Sequence, residues 1–238
     1  AWKVTLPNLE QVGLVKFSYR NLEEIASDES WSNLNGFAEL NPSKRSEILY
    51  ALMEYFRSKY SIIHNKLDEQ SLTDTRKTIL NRVNNAWGLS ANEVLLRPSL
   101  VVLEEKPSWG YTNYIFAGYN SVVKRYLQTF SEIKSVTSTK EDYDSFIHEL
   151  FSKLTSTLLR KKVLKTKKGE IDVYGLDLDS LIWSRNTSST IYENPIRIKR
   201  AKSKSSQHIN SYFRQLYSED AKSGMLDTSQ DHTGLVSK

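Results

Sequence analysis

The chain has 238 residues, 39% of them hydrophobic and 11% aromatic, and it contains no cysteine, so we expect a folded, cytoplasmic protein without disulfide bonds or cysteine-containing zinc sites. No apolar run is long enough to span a membrane, and the first residues lack the apolar core of a secretion signal, so no membrane partner is expected. The net charge of +5 is uneven, because residues 1–110 carry 13 basic and 14 acidic side chains whereas residues 111–238 carry 20 and 14, which favours a polyanionic partner for the second half.

Residues 1–135 are predicted to form a mixed, mainly helical subdomain. The clearest helix start is Asn41-Pro42, where an N-cap side chain precedes a proline at the first helical position. In chain order the predicted elements are a short helix over 9–13, a strand over 14–19, a helix over 22–27, a helix from Asn41-Pro42, a helix that ends before Gly88, a helix after a Ser90–Glu93 capping box, and a helix capped by Asn120 or Ser121.

Residues 138–183 are predicted to form a winged helix. Ser138 and Glu141 have the spacing of a capping box, and apolar residues then recur at helical spacing from Tyr143 to Leu158. The pattern changes to strand alternation over 163–167 and 171–176, with Lys168-Gly169 as a tight turn. The hydrophobic residues Leu181-Ile182-Trp183 are expected to complete the core of this element.

The predicted hairpin is strongly basic. Its cations fall within nine residues that contain no acid, and we predict that they contact a nucleic-acid backbone: Arg160, Lys161, Lys162, Lys165, Lys167 and Lys168. A second acid-free cluster holds three further predicted nucleic-acid-binding residues, Arg197, Lys199 and Arg200, followed by Lys202 and Lys204. A single cluster of this kind is ordinary solvated surface about as often as it is a binding site for a polyanion, whereas two clusters favour a binding site.

The segment after the hairpin is predicted to contain polar loops, a helix capped by Asn210, and a strand over 233–236. The predicted fold class is therefore α+β and mainly helical, in three parts. These parts are a helical subdomain over 1–135, a winged-helix subdomain with a basic hairpin over 136–200, and a helix and strand over 201–238.

Catalytic motifs are missing from the sequence. No glycine lies in a phosphate-binding P-loop, and the histidines are scattered without the spacing of a zinc protease. Asp28-Glu29-Ser30-Trp31 and Asp68-Glu69-Gln70-Ser71 begin like the acidic box of an ATPase but lack its last residue. We therefore expect no catalytic residues, no metal site and no cofactor in this chain.

Four short phrases together resemble one family. They occur in the order Leu6–Val15, Val173–Trp183, Asn194–Arg197 and Asp231–Val236. This order is similar to the long insertion in the second RecA-like lobe of large bacterial superfamily 2 DEAD/DEAH-box helicases, including those of DISARM-type antiphage systems and related repair helicases. The resemblance implies a parent protein whose ATP- and Mg²⁺-binding motifs lie upstream, and a chain end over 201–238 that returns to that lobe.

Two functions follow from these observations. The first is a nucleic-acid-binding accessory domain of an ATP-dependent DNA helicase, which would contact DNA through phosphates with weak sequence preference. The alternative is a protein-interaction module that docks a partner subunit of an antiphage defence or DNA repair complex, which fits the charge-balanced part of the chain, residues 20–110. In both cases the remaining lobes of the parent helicase are expected partners.

Overall fold

Helices make up most of the regular structure among the described residues, and the strands form one five-stranded mixed sheet and one two-stranded sheet. The computed structural model describes residues 8–83, 88–90, 92–104, 113–166, 169–188, 191–196 and 211–223. Of these residues about 47% are helical and about 19% are in strands, so the predicted α+β, mainly helical class is confirmed.

The described residues hold seven strands and seven α-helices. The strands are β1 (Val15–Tyr19), β2 (Ile62–Ile63), β3 (Leu100–Val102), β4 (Tyr114–Phe116), β5 (Leu159–Thr166), β6 (Gly169–Asp177) and β7 (Leu181–Arg185). The helices are α1 (Leu22–Ser27), α2 (Pro42–Ser58), α3 (Glu69–Arg82), α4 (Val122–Leu127), α5 (Ser131–Val136), α6 (Lys140–Leu154) and α7 (Ser211–Ser223), with 3₁₀ turns at Glu29–Asn33, Asn65–Leu67 and Leu178–Ser180.

The chain packs as two compact units. The larger one contains the described residues between 19 and 182 together with 194–196, and the smaller one contains 8–18, 183–188, 191–193 and 211–223. Strands β1 and β7 pair with each other in a separate two-stranded sheet. The three-part division at residues 135 and 200 stays a prediction.

The core of the larger unit lies between helices α2 and α6 and one face of the sheet. Helix α2 buries Ile48, Leu49 and Leu52 completely. The Phe151 ring of α6 contacts the Phe56 ring of α2 at 5.8 Å and the Tyr174 ring of β6 at 5.1 Å, both edge to face. Because both helices and the strand contribute rings to one cluster, the position of β6 against the helices is fixed by packing.

Strand β6 is the central strand of the five-stranded sheet. Along one edge it pairs antiparallel with β5 over the full length of β5, from Leu159↔Leu176 to Thr166↔Gly169. It also pairs with β2 in parallel at residues 176–177 and with β3 antiparallel at residues 173–174, and β3 pairs with β4 in parallel. Among the described strands, only β5 and β6 extend beyond the residues of β6 that pair with β3, so residues 163–166 and 169–172 form a two-stranded arm.

Several predicted elements are confirmed. The strand predicted over 14–19 is β1 and the helix over 22–27 is α1. Helix α2 begins after Asn41, whose side chain accepts a hydrogen bond from the Lys44 amide, and α4 is capped by Ser121 in the same way. The two strands of the basic hairpin are also present, whereas the predicted turn residue Lys168 lies outside the described residues.

The start and end of α6 differ from the prediction. The capping box is formed by Thr139 and Asp142, one residue later than the predicted Ser138 and Glu141. The helix ends at Leu154 instead of continuing to Leu158, because Ser156 takes a left-handed φ of 78° that an α-helix does not tolerate.

Other predictions fail because local signals were not supported by packing. Residues 9–13 form turns, with Asn8 and Gln11 bonding each other's amides. The helix predicted to end before Gly88 ends at Arg82, and residues 92–99 contain no helix. Trp183 was expected in a core, but it is 70% exposed on β7.

Candidate nucleic-acid interface

The cations of β5 are distributed over both faces of the hairpin, since successive side chains of a strand point to opposite sides. Lys161 and Lys165 share a face with Leu159, which is fully buried in the main core. Arg160 and Lys162 lie on the opposite face, which they share with Leu164. The predicted basic cluster is therefore not a single surface.

Two of the cations are held by carboxylates of the neighbouring strand and turn. The Arg160 guanidinium donates from Nε to Asp177 and from Nη2 to Asp179, both at 2.9 Å. The Lys161 ammonium lies 2.6 Å from the Asp172 carboxylate. Hydrogen bonds to Asp177 and to Asp172 raise the pKa of Arg160 and of Lys161, respectively. These side chains are engaged within the protein.

Two other cations remain available. Lys162 is exposed and makes no ion pair within the described part of the chain. Its charge helps to lower the pKa of Asp68, although the hydrogen bonds from Ser71 lower that pKa more. Lys165 is 88% exposed, and its ammonium lies 3.9 Å from the Glu170 carboxylate, at the limit for an ion pair. These two lysines are the strongest described candidates for phosphate contacts.

A groove of about 460 Å³ lies beside the start of β5. Its walls are the turn between α6 and β5 on one side and the connection from β2 to α3 on the other. Ten residues line it: Ile63, His64, Asn65, Asp68, Thr155, Ser156, Leu159, Arg160, Lys161 and Lys162. Three consecutive cations and several neutral donors line this opening together with a single carboxylate, and Lys162 is the cation among them that makes no ion pair with a described residue.

A second cleft of about 480 Å³ shares Ser156 with this groove but has the opposite charge. Its acidic residues are Glu24, Asp28, Asp177 and Asp179, and Arg20 is the cation on its wall. A polyanion is repelled from such a cleft. The α6–β5 turn therefore separates a surface that disfavours phosphate from one that favours it.

Five of the predicted nucleic-acid-binding residues lie outside the described residues. They are Lys167, Lys168, Arg197, Lys199 and Arg200. Their role stays a prediction, as do the roles of the four described cations.

Sequence reasoning missed the groove and the acids that oppose the hairpin cations. The groove joins residues about 95 positions apart, and no local pattern links them. The positions of the acids could have been predicted from the sequence, because pairing across the predicted turn places Glu170 opposite Lys165. The same pairing places Asp172 opposite Val163, two residues from Lys161, with which Asp172 forms an ion pair. A basic run in a hairpin should therefore be read together with the strand it pairs with.

No described helix is both long and apolar enough to cross a membrane. Within the same residues, no group of three or more His, Asp or Glu side chains is arranged to hold a metal ion. Comparisons with family models, with curated proteins and with solved structures gave no match.

Proposed function

We propose that this chain is a nucleic-acid-binding accessory domain whose α6 helix and β5–β6 hairpin act as a winged-helix element. The proposal assigns the hairpin arm to the phosphate backbone of DNA, with weak sequence preference. The sequence resemblance supplies the second part of the proposal, namely that the domain serves an ATP-dependent superfamily 2 DNA helicase in antiphage defence or DNA repair. ATP and Mg²⁺ would then be bound elsewhere in the parent.

The observation that carries the proposal is the two-stranded arm at residues 163–166 and 169–172, on which Val163, Lys165, Glu170 and Asp172 are exposed, whereas Leu164 and Ile171 pack against a small apolar cluster with Val102 and Val173. A two-stranded ribbon that extends past its sheet can lie along a duplex without moving the core. Near the described end of the arm, Gly169 takes a φ of +128°, and a Cβ added there would meet nothing within 4 Å. Lys165 is almost fully exposed close to this end.

The packing of α6 adds support. A wing can hold DNA in a fixed position relative to the domain only when the helix before it is packed into the core. Helix α6 meets this condition, because four side chains of its apolar face are completely buried: Tyr143, Ile147, Leu150 and Phe151. The hairpin continues directly from this helix, so a phosphate contact on the arm is connected to the core of the larger unit.

Fluorescence anisotropy with two unrelated labelled duplexes tests this function. We expect both duplexes to bind with similar affinity, and binding to weaken as salt rises, because phosphate contacts release counterions and read no sequence. Absence of binding at 50 mM salt and micromolar protein, or binding insensitive to salt, would refute the proposal.

The alternative function is a protein-interaction module, and one observation favours it. Ile182 and Trp183 are neighbours on β7, and 40% and 70% of their surfaces are exposed. Exposed tryptophan is typical of contact sites that dominate protein interfaces. Binding of a purified partner subunit that Trp183→Ser abolishes, in a chain that does not bind DNA, would support this alternative.

A further inference from the structure

We propose that the groove beside β5 binds a phosphate group, and that a nucleic-acid strand held by the hairpin supplies it. The second half of this inference rests on the proposed function, whereas phosphate binding itself does not. The groove is set back from the exposed arm, so it would be a distinct subsite for one phosphate.

The chemistry of the walls favours an anion. Lys162 lines the groove, is exposed, and makes no ion pair within 4 Å among the described residues, although its charge acts on the nearby Asp68 carboxylate. The Ser156 hydroxyl and the Asn65 amide are neutral donors on opposite walls. Charged and neutral donors that converge on one opening are the usual composition of a phosphate site.

His64 adds a donor with a defined orientation. Its Nδ1 accepts a hydrogen bond from the Lys66 amide at 3.1 Å. An accepting nitrogen carries no proton, so the neutral ring holds its proton on Nε2, where it can be donated to a ligand. The tautomer is therefore fixed by the protein before any ligand binds.

Asp68 is the one carboxylate in the groove, and it provides a sensitive test. Its side chain accepts from the Ser71 amide at 2.7 Å as the N-cap of α3. Asparagine serves this cap equally well, so Asp68→Asn removes a negative charge from the groove and keeps the fold. Asn65→Asp does the opposite, because it adds a negative charge with almost no change of shape.

The two variants should change phosphate affinity in opposite directions. For a phosphate about 6 Å from the altered atom, the Coulomb energy in water corresponds to about a threefold change at low salt. We expect Asp68→Asn to tighten phosphate binding about threefold and Asn65→Asp to weaken it about threefold. Asp74→Asn and Asn33→Asp change the net charge equally at residues that do not line the groove, and they should have little effect.

The experiment is a two-dimensional amide NMR titration of the full chain with inorganic phosphate at constant ionic strength, followed by anisotropy with a duplex. Shifts confined to residues 63–68 and 155–162, with the opposite effects of the two variants, support the site. If Asp68→Asn also tightens and Asn65→Asp also weakens duplex binding, a nucleic-acid strand supplies the phosphate. If they change phosphate binding alone, the site takes free phosphate and the second half of the inference is overturned.

Other outcomes separate this inference from the proposed function. An absence of phosphate shifts in a chain that still binds duplex DNA refutes the groove and leaves the hairpin proposal standing. Phosphate shifts in a chain that binds no DNA support the groove and refute the proposed function. Equal effects of the groove variants and their controls would show long-range charge only, and would overturn the assignment of the site.

Discussion

Replacing Lys162 and Lys165 together by alanine should lower the salt dependence of duplex binding. Neither side chain is needed for the fold, because Lys162 has no described ion pair and Lys165 has only the weak contact with Glu170. On duplex DNA each lost phosphate contact reduces the slope of log affinity against log salt by about 0.9, so the slope should fall by about 1.8. Between 50 and 200 mM salt this corresponds to about a 12-fold difference in affinity loss.

A second double variant, Arg160→Ala with Lys161→Ala, gives the contrast. These cations are held by Asp177, Asp179 and Asp172 at 2.6–2.9 Å, so their removal should leave the slope nearly unchanged. It should instead reduce the unfolding free energy by about 1 kcal/mol, the scale of exposed ion pairs.

Anisotropy across a sodium chloride series measures the slopes, and urea unfolding measures stability. Lys134→Ala with Lys140→Ala is the matched control, since both lysines are exposed on α5 and at the start of α6. An unchanged slope in the first variant, or an equally large fall in the second, would refute the assignment of available and engaged cations.

Three further predictions concern stability, each measured by urea unfolding. Thr139→Ala should cost about 1 kcal/mol because it removes the cap of α6, whereas Ser138→Ala should cost almost nothing; the reverse order would contradict the observed capping register. Trp183→Ser should change stability by no more than about 0.5 kcal/mol, since the ring is largely exposed, and a loss of several kcal/mol would place it in a core. Burial and the neighbouring Glu54 carboxylate raise the pKa of Tyr19 well above its usual value, so above about pH 10 Tyr19 should by itself lower stability by about 1.4 kcal/mol per pH unit, in addition to the fall that the buried Tyr143 contributes, and Tyr19→Phe should reduce the total slope by one proton.

Apart from β1, which pairs with the distant β7, the elements that the sequence predicted correctly have local causes. Helix α2 follows from Asn41 and Pro42, and the hairpin follows from alternation around Gly169. These signals act within about four residues of one another, so the chain carries them whatever its tertiary structure.

The remaining strands depend on distant partners. Strand β2 has two residues, and its partner Leu176 lies more than 100 positions away; β3 has three residues. Such short segments carry no readable alternation, because their pairing is decided by the sheet edge that β6 provides. The groove could not be predicted for the same reason, because β2 and β5, which lead into its two walls, are brought together by pairing with β6.

Trp183 shows another limit of pattern reading. Apolar residues at the end of the predicted winged helix suggested a core, but hydrophobicity predicts burial only in one direction, since a large part of any protein surface is apolar. The capping register of α6 is a milder case. Ser138 and Thr139 both fit the motif, and the choice between them depends on where the helix packs.

The acids that engage Arg160 and Lys161 reduce the number of hairpin cations available to DNA, and with it the hairpin's contribution to DNA affinity. Six free cations on duplex DNA would give a salt slope of about −5.4 and about a 10³-fold loss of affinity between 50 and 200 mM salt. With Arg160 and Lys161 engaged by acids, the described residues leave two, and the loss falls to about 12-fold. Two phosphate contacts give weak and readily reversed attachment. Such contacts suit an accessory element that binds a duplex at low salt and releases and rebinds it readily as salt rises.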